Sequence, residues 1–131
     1  MTGLDTNILV RLFMDDEPAQ TAKVIRLLHS LSAEEQGWIS LPVVMELAWV
    51  LTKIYHVSRP ELVRVLKTLL SRKELLLEQA ELIHAAIHLY SKANVGFADS
   101  IIMASSQAAG CSQTFTFDQA AAKSVGMTLL S

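Results

Sequence analysis

Cysteine is all but missing from this sequence: Cys111 is the only one in 131 residues. That excludes an internal disulfide, and with it the small disulfide-stapled scaffolds of the secretory route, so a reducing cytoplasm is expected. A secretion signal is missing too, because the first residues carry neither a basic segment nor a long apolar one. No uncharged apolar run is long enough to cross a bilayer. The longest candidate, Val95 to Phe117, is interrupted by Asp99 and by several Ser, Gln and Gly residues. Positive charge is not in excess, since 11 Lys and Arg stand against 13 Asp and Glu for a net charge of -2. A global positive field that gathers nucleic acid is thereby excluded, and any such binding has to rest on local patches or on metal ions. Aromatic residues make up only 6% of the chain, and Trp38, Trp49, Tyr55, Tyr90 and Phe97 do not form the clustered strand face on which single-strand binders stack bases. They read as packing residues.

What the sequence does have is apolar surface: 51% of residues are hydrophobic and the mean hydropathy is +0.35. The length suits a single domain over residues 1–131, and so full an apolar content for its size points to self-association, most simply a homodimer. No repeat and no low-complexity linker interrupts it. Short apolar runs alternate with helical patterns, the signature of a parallel sheet covered by helices and hence of an α/β fold. Strands are expected at Met1–Leu4, Gly37–Ser40, Leu75–Glu78, Ser112–Thr116 and Met127–Leu130. Helices are expected over Pro18–Leu31, with Ala22, Ile25, Leu28 and Leu31 on one face; over Pro42–Tyr55; from a Ser58 cap with Pro60 near its start to about Leu70; over Gln79–Ala93; and over Ala98–Ala109, stopped by Gly110. In open α/β sheets chemistry sits at the carboxyl ends of the strands. Asp5 and Asp118 lie just past two such ends.

The acidic residues divide by neighbourhood. Asp15, Asp16, Glu17, Glu34, Glu35, Glu61, Glu74, Glu78 and Glu81 stand in mixed, polar surroundings and read as ordinary surface charges. Four others are isolated. Asp5 is the only charge in residues 1–10, Glu46 the only one from Gln36 to Thr52, Asp99 the only one from Ala93 to Phe117, and Asp118 ends the apolar run TFTF. None has a neighbouring Lys or Arg. An ionised carboxylate buried without a partner costs several kcal/mol, so such groups protonate, find a distant partner or bind a cation. If the fold gathers the four, a hard divalent cation with a preference for oxygen, Mg²⁺ or Mn²⁺, is the natural remedy. Helix capping is the alternative for three of them: Asp5 before a helix starting near Asn7, Asp99 in a first turn, Asp118 before the last short helix. Glu46 resists it, because it lies one turn inside a helix among Val43, Met45, Leu47 and Val50, where exposure is not expected. Thr6, Asn7, Ser100 and Thr116 stand beside these acids as hydroxyls and an amide able to orient a carboxylate or a bound water, or to serve turns and caps.

The stretches LDTNILVRLF, ISLPVVMELAWVL, GFADSIIMASSQAAG and TFTFDQAAAK carry the four acids in order, and together they resemble a PIN domain, most closely the VapC-type ribonuclease toxins of bacterial toxin–antitoxin pairs. The resemblance covers nearly the whole chain. It implies a three-layer α/β/α fold around a parallel sheet of about five strands, with Asp5, Glu46, Asp99 and Asp118 as an acidic quartet that binds one or two Mg²⁺ or Mn²⁺ ions. Thr116 matches the family's hydroxyl near the last acid and Asn7 its amide beside the first. The segment DQAAAK is blander than the usual end of that motif. The implied activity is an endoribonuclease that hydrolyses RNA with metal-activated water, leaving 5′-phosphate and 3′-hydroxyl ends, and the implied protein partner is a cognate antitoxin. PIN-fold processing of housekeeping RNA or of DNA is the alternative, followed by a non-catalytic metal-binding module.

Basic residues then need a role. Arg59, Arg64, Lys67, Arg72 and Lys73 concentrate along and after one helix, where a solvated face or phosphate contacts account for them. Arg11, one or two turns past Asp5, is the better candidate for an RNA contact. His84 and His88 have a zinc-compatible i, i+4 spacing but no third ligand in view, and read as a helix or dimer face. A dehalogenase-like phosphatase needs a second acid where Asn7 stands, and a receiver domain needs an acidic pair and a late lysine that are not laid out here.

Overall fold

A computed structural model describes all 131 residues. The chain divides into two compact units, Met1–Glu78 and Gln79–Ser131. The first begins with β1 (Thr2–Gly3), α1 (Thr6–Phe13) and α2 (Pro18–His29). It continues through β2 (Gly37–Ile39), α3 (Leu41–Trp49), α4 (Arg59–Ser71) and β3 (Leu75–Leu77). Its three strands form a parallel sheet in the order β1-β2-β3, with Thr2 opposite Gly37 and Gly37 opposite Leu75. Gly37 is the central residue of that register. A Cβ there would come within 2.9 Å of both Leu4 Cδ1 and Leu31 Cδ1, so any larger residue would push the ends of these two leucine side chains aside.

Each helix of this unit starts on a recognisable device. Ser40 accepts from the Val43 N–H at 3.3 Å and Ser58 from the Glu61 N–H at 3.3 Å, while prolines occupy the first turns of α2, α3 and α4, where a missing N–H costs nothing. Glu78, at the end of β3, adds a second restraint on α3: its Oε1 accepts from the Leu41 N–H at 2.7 Å. Leu9, Ile39, Val44, Leu47, Leu51, Leu62 and Leu66 are completely enclosed, and burial of each such side chain contributes about 1.5–3 kcal/mol. The helix expected over Pro42–Tyr55 is there but not uniform, because α3 passes at Val50 into a π-helical turn that runs to Ile54.

The face expected for α2 needs correction. Ile25 is 42% exposed and Ala22 is exposed as well, while Val24 is the buried residue at 4%. Val24, Leu27, Leu28 and Leu31 form a second apolar phase of the same sequence, and packing of α2 against α1 selects it.

The second unit holds α5 (Ala80–Lys92), α6 (Phe97–Ala108), β4 (Phe115–Thr116), α7 (Gln119–Val125) and β5 (Thr128–Leu129). Its centre is the α5–α6 pair, with Tyr90 and Phe97 edge to face at 5.7 Å between centroids. Val95, Met103, Ala121, Val125 and Met127 form a second cluster under α7. Strands β4 and β5 pair in parallel, Phe115 opposite Thr128. Helix α6 ends as expected at Gly110, whose φ of +87° is the left-handed conformation that glycine takes without strain. All five expected strands are thus present and parallel, shorter than the sequence suggests and arranged as ladders of three and two.

Candidate active site

In the first unit a single residue joins two of the four isolated acids. Asp5 leaves β1 and becomes the N-cap of α1, its Oδ1 accepting from the Thr6 N–H at 2.7 Å. Thr6, the first residue of α1, is only 3% exposed, and its hydroxyl donates a short hydrogen bond to Glu46 Oε1 on α3. Asp5 and Glu46, 41 positions apart in the sequence, are therefore held through the backbone N–H and the side-chain hydroxyl of one threonine. Asn7 is exposed on the following position of α1.

In the second unit the two acids are held separately. Asp118 caps α7 with Oδ1, which accepts from the Ala120 N–H at 2.8 Å and the Ala121 N–H at 3.2 Å. The Thr116 hydroxyl accepts from the Asp118 N–H at 3.0 Å and so fixes the turn that presents it. Asp99 lies in the first turn of α6, whose N-cap is Gly96 with no side-chain cap bond. Ser100, next to it, is completely buried, and its hydroxyl is the only buried side-chain polar atom without a partner.

The carboxylates are not buried, which corrects the reasoning that singled them out. Asp5, Glu46 and Asp118 are exposed and Asp99 is half-buried. Glu46 shares with Pro42 and Trp49 the outward stripe of α3, while Val44, Leu47 and Ala48 turn inward. Desolvation therefore does not press these acids toward a cation. None of the four has a cationic partner, which they share with Asp15, Glu17, Glu34, Glu78 and Glu81: the ion pairs join the N-terminus to Glu35, Arg11 to Asp16, Arg64 to Glu61 and Arg72 to Glu74. Asp5, Glu46 and Asp118 each commit one carboxylate oxygen to a hydrogen bond and keep the other, and Asp99 keeps both. All-oxygen donors of this kind suit Mg²⁺ or Mn²⁺. Neither unit by itself gathers three or more His, Cys, Asp or Glu side chains into a metal-holding group.

Arg11 is engaged elsewhere. Its guanidinium pairs with Asp16 and also donates to the Tyr55 hydroxyl at 3.2 Å, and that hydroxyl donates to Asp16 Oδ2 at 2.7 Å. The Tyr55 hydroxyl is the main reason that the Asp16 carboxyl lies below its ordinary range and the Arg11 guanidinium above its own, with their mutual attraction adding to both. Neither Tyr55 nor Asp16 was legible as a partner of Arg11, because Tyr55 is brought there by the π turn 44 positions later. On α4, Arg64 and Arg72 are paired with Glu61 at 2.7 Å and Glu74 at 2.5 Å, which reduces the free positive charge of that helix. His84 and His88 are exposed along α5, and Cys111 is exposed. Two apolar hollows in the first unit, of about 150 and 350 Å³, lie against α4 and share Phe13 and Thr68; neither includes Asp5 or Glu46.

The chain is an α/β one with parallel strands, and Asp5 and Asp118 stand just past the ends of β1 and β4. The family model for the PIN domain matches residues 4–125, and the chain belongs to the PIN-domain family. PIN domains are in general nucleases, and they generally use divalent metal ions. No curated protein matches the sequence. No helix is long and apolar enough to cross a membrane.

Proposed function

We propose that this protein is a Mg²⁺- or Mn²⁺-dependent endoribonuclease acting in the cytoplasm as the toxin of a toxin–antitoxin pair, as a homodimer restrained by a cognate antitoxin protein. The observation that carries the reading is the set of four carboxylates, Asp5, Glu46, Asp99 and Asp118, in a PIN-domain chain, each with an uncommitted oxygen and no cationic side chain to neutralise it. In this reading Asp5, Glu46, Asp99 and Asp118 are the carboxylates that would serve the cation. When bound, that cation supplies Lewis acidity: it acidifies water and neutralises charge on the phosphate.

The chain's own residues do the rest. Asp5 and Asp118 hold their carboxylates at rigid helix starts, and Glu46 is steered by Thr6. Thr116 fixes the Asp118 turn and Asn7 offers an amide beside Asp5 for orienting water, while the hydroxyl of Ser100, next to Asp99, is fully buried. No side-chain nucleophile is required. Arg11 reaches an RNA phosphate only by leaving or sharing its pairing with Asp16 and Tyr55.

Incubating purified protein with RNA tests this directly. Cleavage is expected with Mg²⁺ or Mn²⁺, is expected to stop on addition of EDTA, and should leave 5′-phosphate ends. Undiminished cutting in EDTA sinks the mechanism. The toxin assignment has its own test: expression alone should arrest growth, and a neighbouring small reading frame should encode a protein that relieves it. Normal growth with no such neighbour favours a nuclease of housekeeping RNA or DNA processing.

A further inference from the structure

Thr6 is the first residue of α1 and is 3% exposed, yet it carries a hydroxyl into that position. Packing alone would be served at least as well by valine, which has the same shape and no polar atom to desolvate. Its hydroxyl is not used as a helix cap or a back-bond to its own helix. It donates to Glu46 Oε1, on another helix and 40 positions away. Its backbone N–H donates at the same time to Asp5 Oδ1 at 2.7 Å. One residue therefore sets the direction of two carboxylates, and it does so from a buried position where its own rotamer is locked.

Glu46 gains most from this. An exposed glutamate on a helix surface samples several rotamers, and fixing it on a ligand costs side-chain entropy. The hydrogen bond from Thr6 settles Oε1 before any ligand arrives and leaves Oε2 available.

We propose that Thr6 is a positioning residue that pre-sets Glu46 relative to Asp5 for a divalent cation, by donating its hydroxyl proton to Glu46 while its N–H holds Asp5. This rests on the metal-dependent reading of the site. Thr6 does not touch the ion; it acts through the two carboxylates. Partners of that kind typically account for about 10- to 100-fold in metal affinity. The fold depends on the bond much less, because Glu46 is exposed and water replaces a lost donor.

The experiment is a calorimetric Mn²⁺ titration of the full chain, RNA absent, alongside thermal melting. Thr6→Val should bind Mn²⁺ about 10- to 100-fold more weakly than wild type while melting at nearly the same temperature. Thr6→Ser keeps the hydroxyl and should bind within about threefold of wild type. With RNA, Thr6→Val should lower kcat and leave KM unchanged. In a Glu46→Gln background, Thr6→Val should add little, since its route is already broken. The inference is overturned if Thr6→Val binds Mn²⁺ like wild type, if Thr6→Ser falls as far as Thr6→Val, or if the Thr6 and Glu46 losses add in full. Should Thr6→Val fail to melt cooperatively, the Thr6→Ser titration decides in the same way. If wild type itself takes up no Mn²⁺, and Asp99→Asn behaves identically, the metal reading falls and this inference with it. Wild-type binding with an unaffected Thr6→Val removes only the role of Thr6.

Discussion

The two units each carry two of the four isolated acids but hold them in different ways. In Met1–Glu78, Asp5 and Glu46 come from different helices and are joined through Thr6, while Glu78 and Ser40 pin the start of the helix that carries Glu46. In Gln79–Ser131, Asp118 is fixed by the two N–H groups it caps and by Thr116, and Asp99 rests on no hydrogen-bond partner at all. Only Glu46 is oriented by tertiary contact between helices; Asp5 and Asp118 are oriented by local helix-start geometry and Asp99 by no hydrogen bond. A carboxylate held by tertiary contact loses its direction when one distant side chain changes. One held by a cap loses it only when its own turn does.

The largest effect expected on breaking this comparison comes from one acid in each unit. Asp5→Asn and Asp99→Asn should each abolish RNA cleavage, because amides cannot replace an anionic ligand for a hard cation, and both variants should melt like wild type. Equal loss from both, read in a cleavage assay with Mn²⁺, says that the two pairs serve one reaction despite their different supports. Survival of one variant would break that link.

Asp118 gives an intermediate case, since it serves a helix as well as the proposed site. Asp118→Ala removes the α7 cap and should lower stability by about 1 kcal/mol in denaturant unfolding, whereas Asp118→Asn caps nearly as well and should not. Cleavage should fall in both. A stable Asp118→Asn protein with full activity would leave Asp118 a cap and nothing more.

The smallest effect concerns the Arg11–Asp16–Tyr55 cluster, the first unit's other long-range tie. The Asp16 carboxyl is lowered chiefly by the Tyr55 hydroxyl. A lowered carboxyl contributes stability that is present above its unfolded pKa and is lost as pH falls through the folded one. Tyr55→Phe removes that hydroxyl. The variant should therefore be slightly less stable than wild type at neutral pH, and the two melting curves should converge only as pH falls below the ordinary carboxyl range and through the lowered Asp16 pKa of folded wild type. A difference that stays constant with pH would assign the loss to packing of the ring.

Sequence patterning located all five strands to within about three residues, because glycine, serine and proline mark their ends and apolar runs mark their middles. It also identified the Ser58 start of α4, the Gly110 stop of α6, and Asp5 and Asp118 as residues on which helices begin. Three things were not legible, each for a physical reason. The α2 face was read a phase out, since Ala22, Ile25 and Leu28 make as good a stripe as Val24, Leu27 and Leu31, and only contact with α1 decides. The π turn after α3 has no compositional marker, so the reach of Tyr55 to Arg11 and Asp16 was hidden. Isolation of a charge along the sequence is not burial in space. Glu46 is surrounded by apolar residues along the chain but points outward with Pro42 and Trp49, because a helix needs only one stripe to face the core. The cost of burial does not mark these four acids, and neither does the lack of a cation, which several other acids share; what marks them is the PIN-domain match of the chain that carries them.

The central claim, that Asp5 and Asp99 are both needed for divalent-ion binding, is tested most directly by calorimetric Mn²⁺ titration of wild type beside Asp5→Asn and Asp99→Asn. The account predicts that wild type binds and that each single variant, one from each unit, loses binding while keeping its cooperative melt. Undiminished Mn²⁺ uptake by either variant would contradict it.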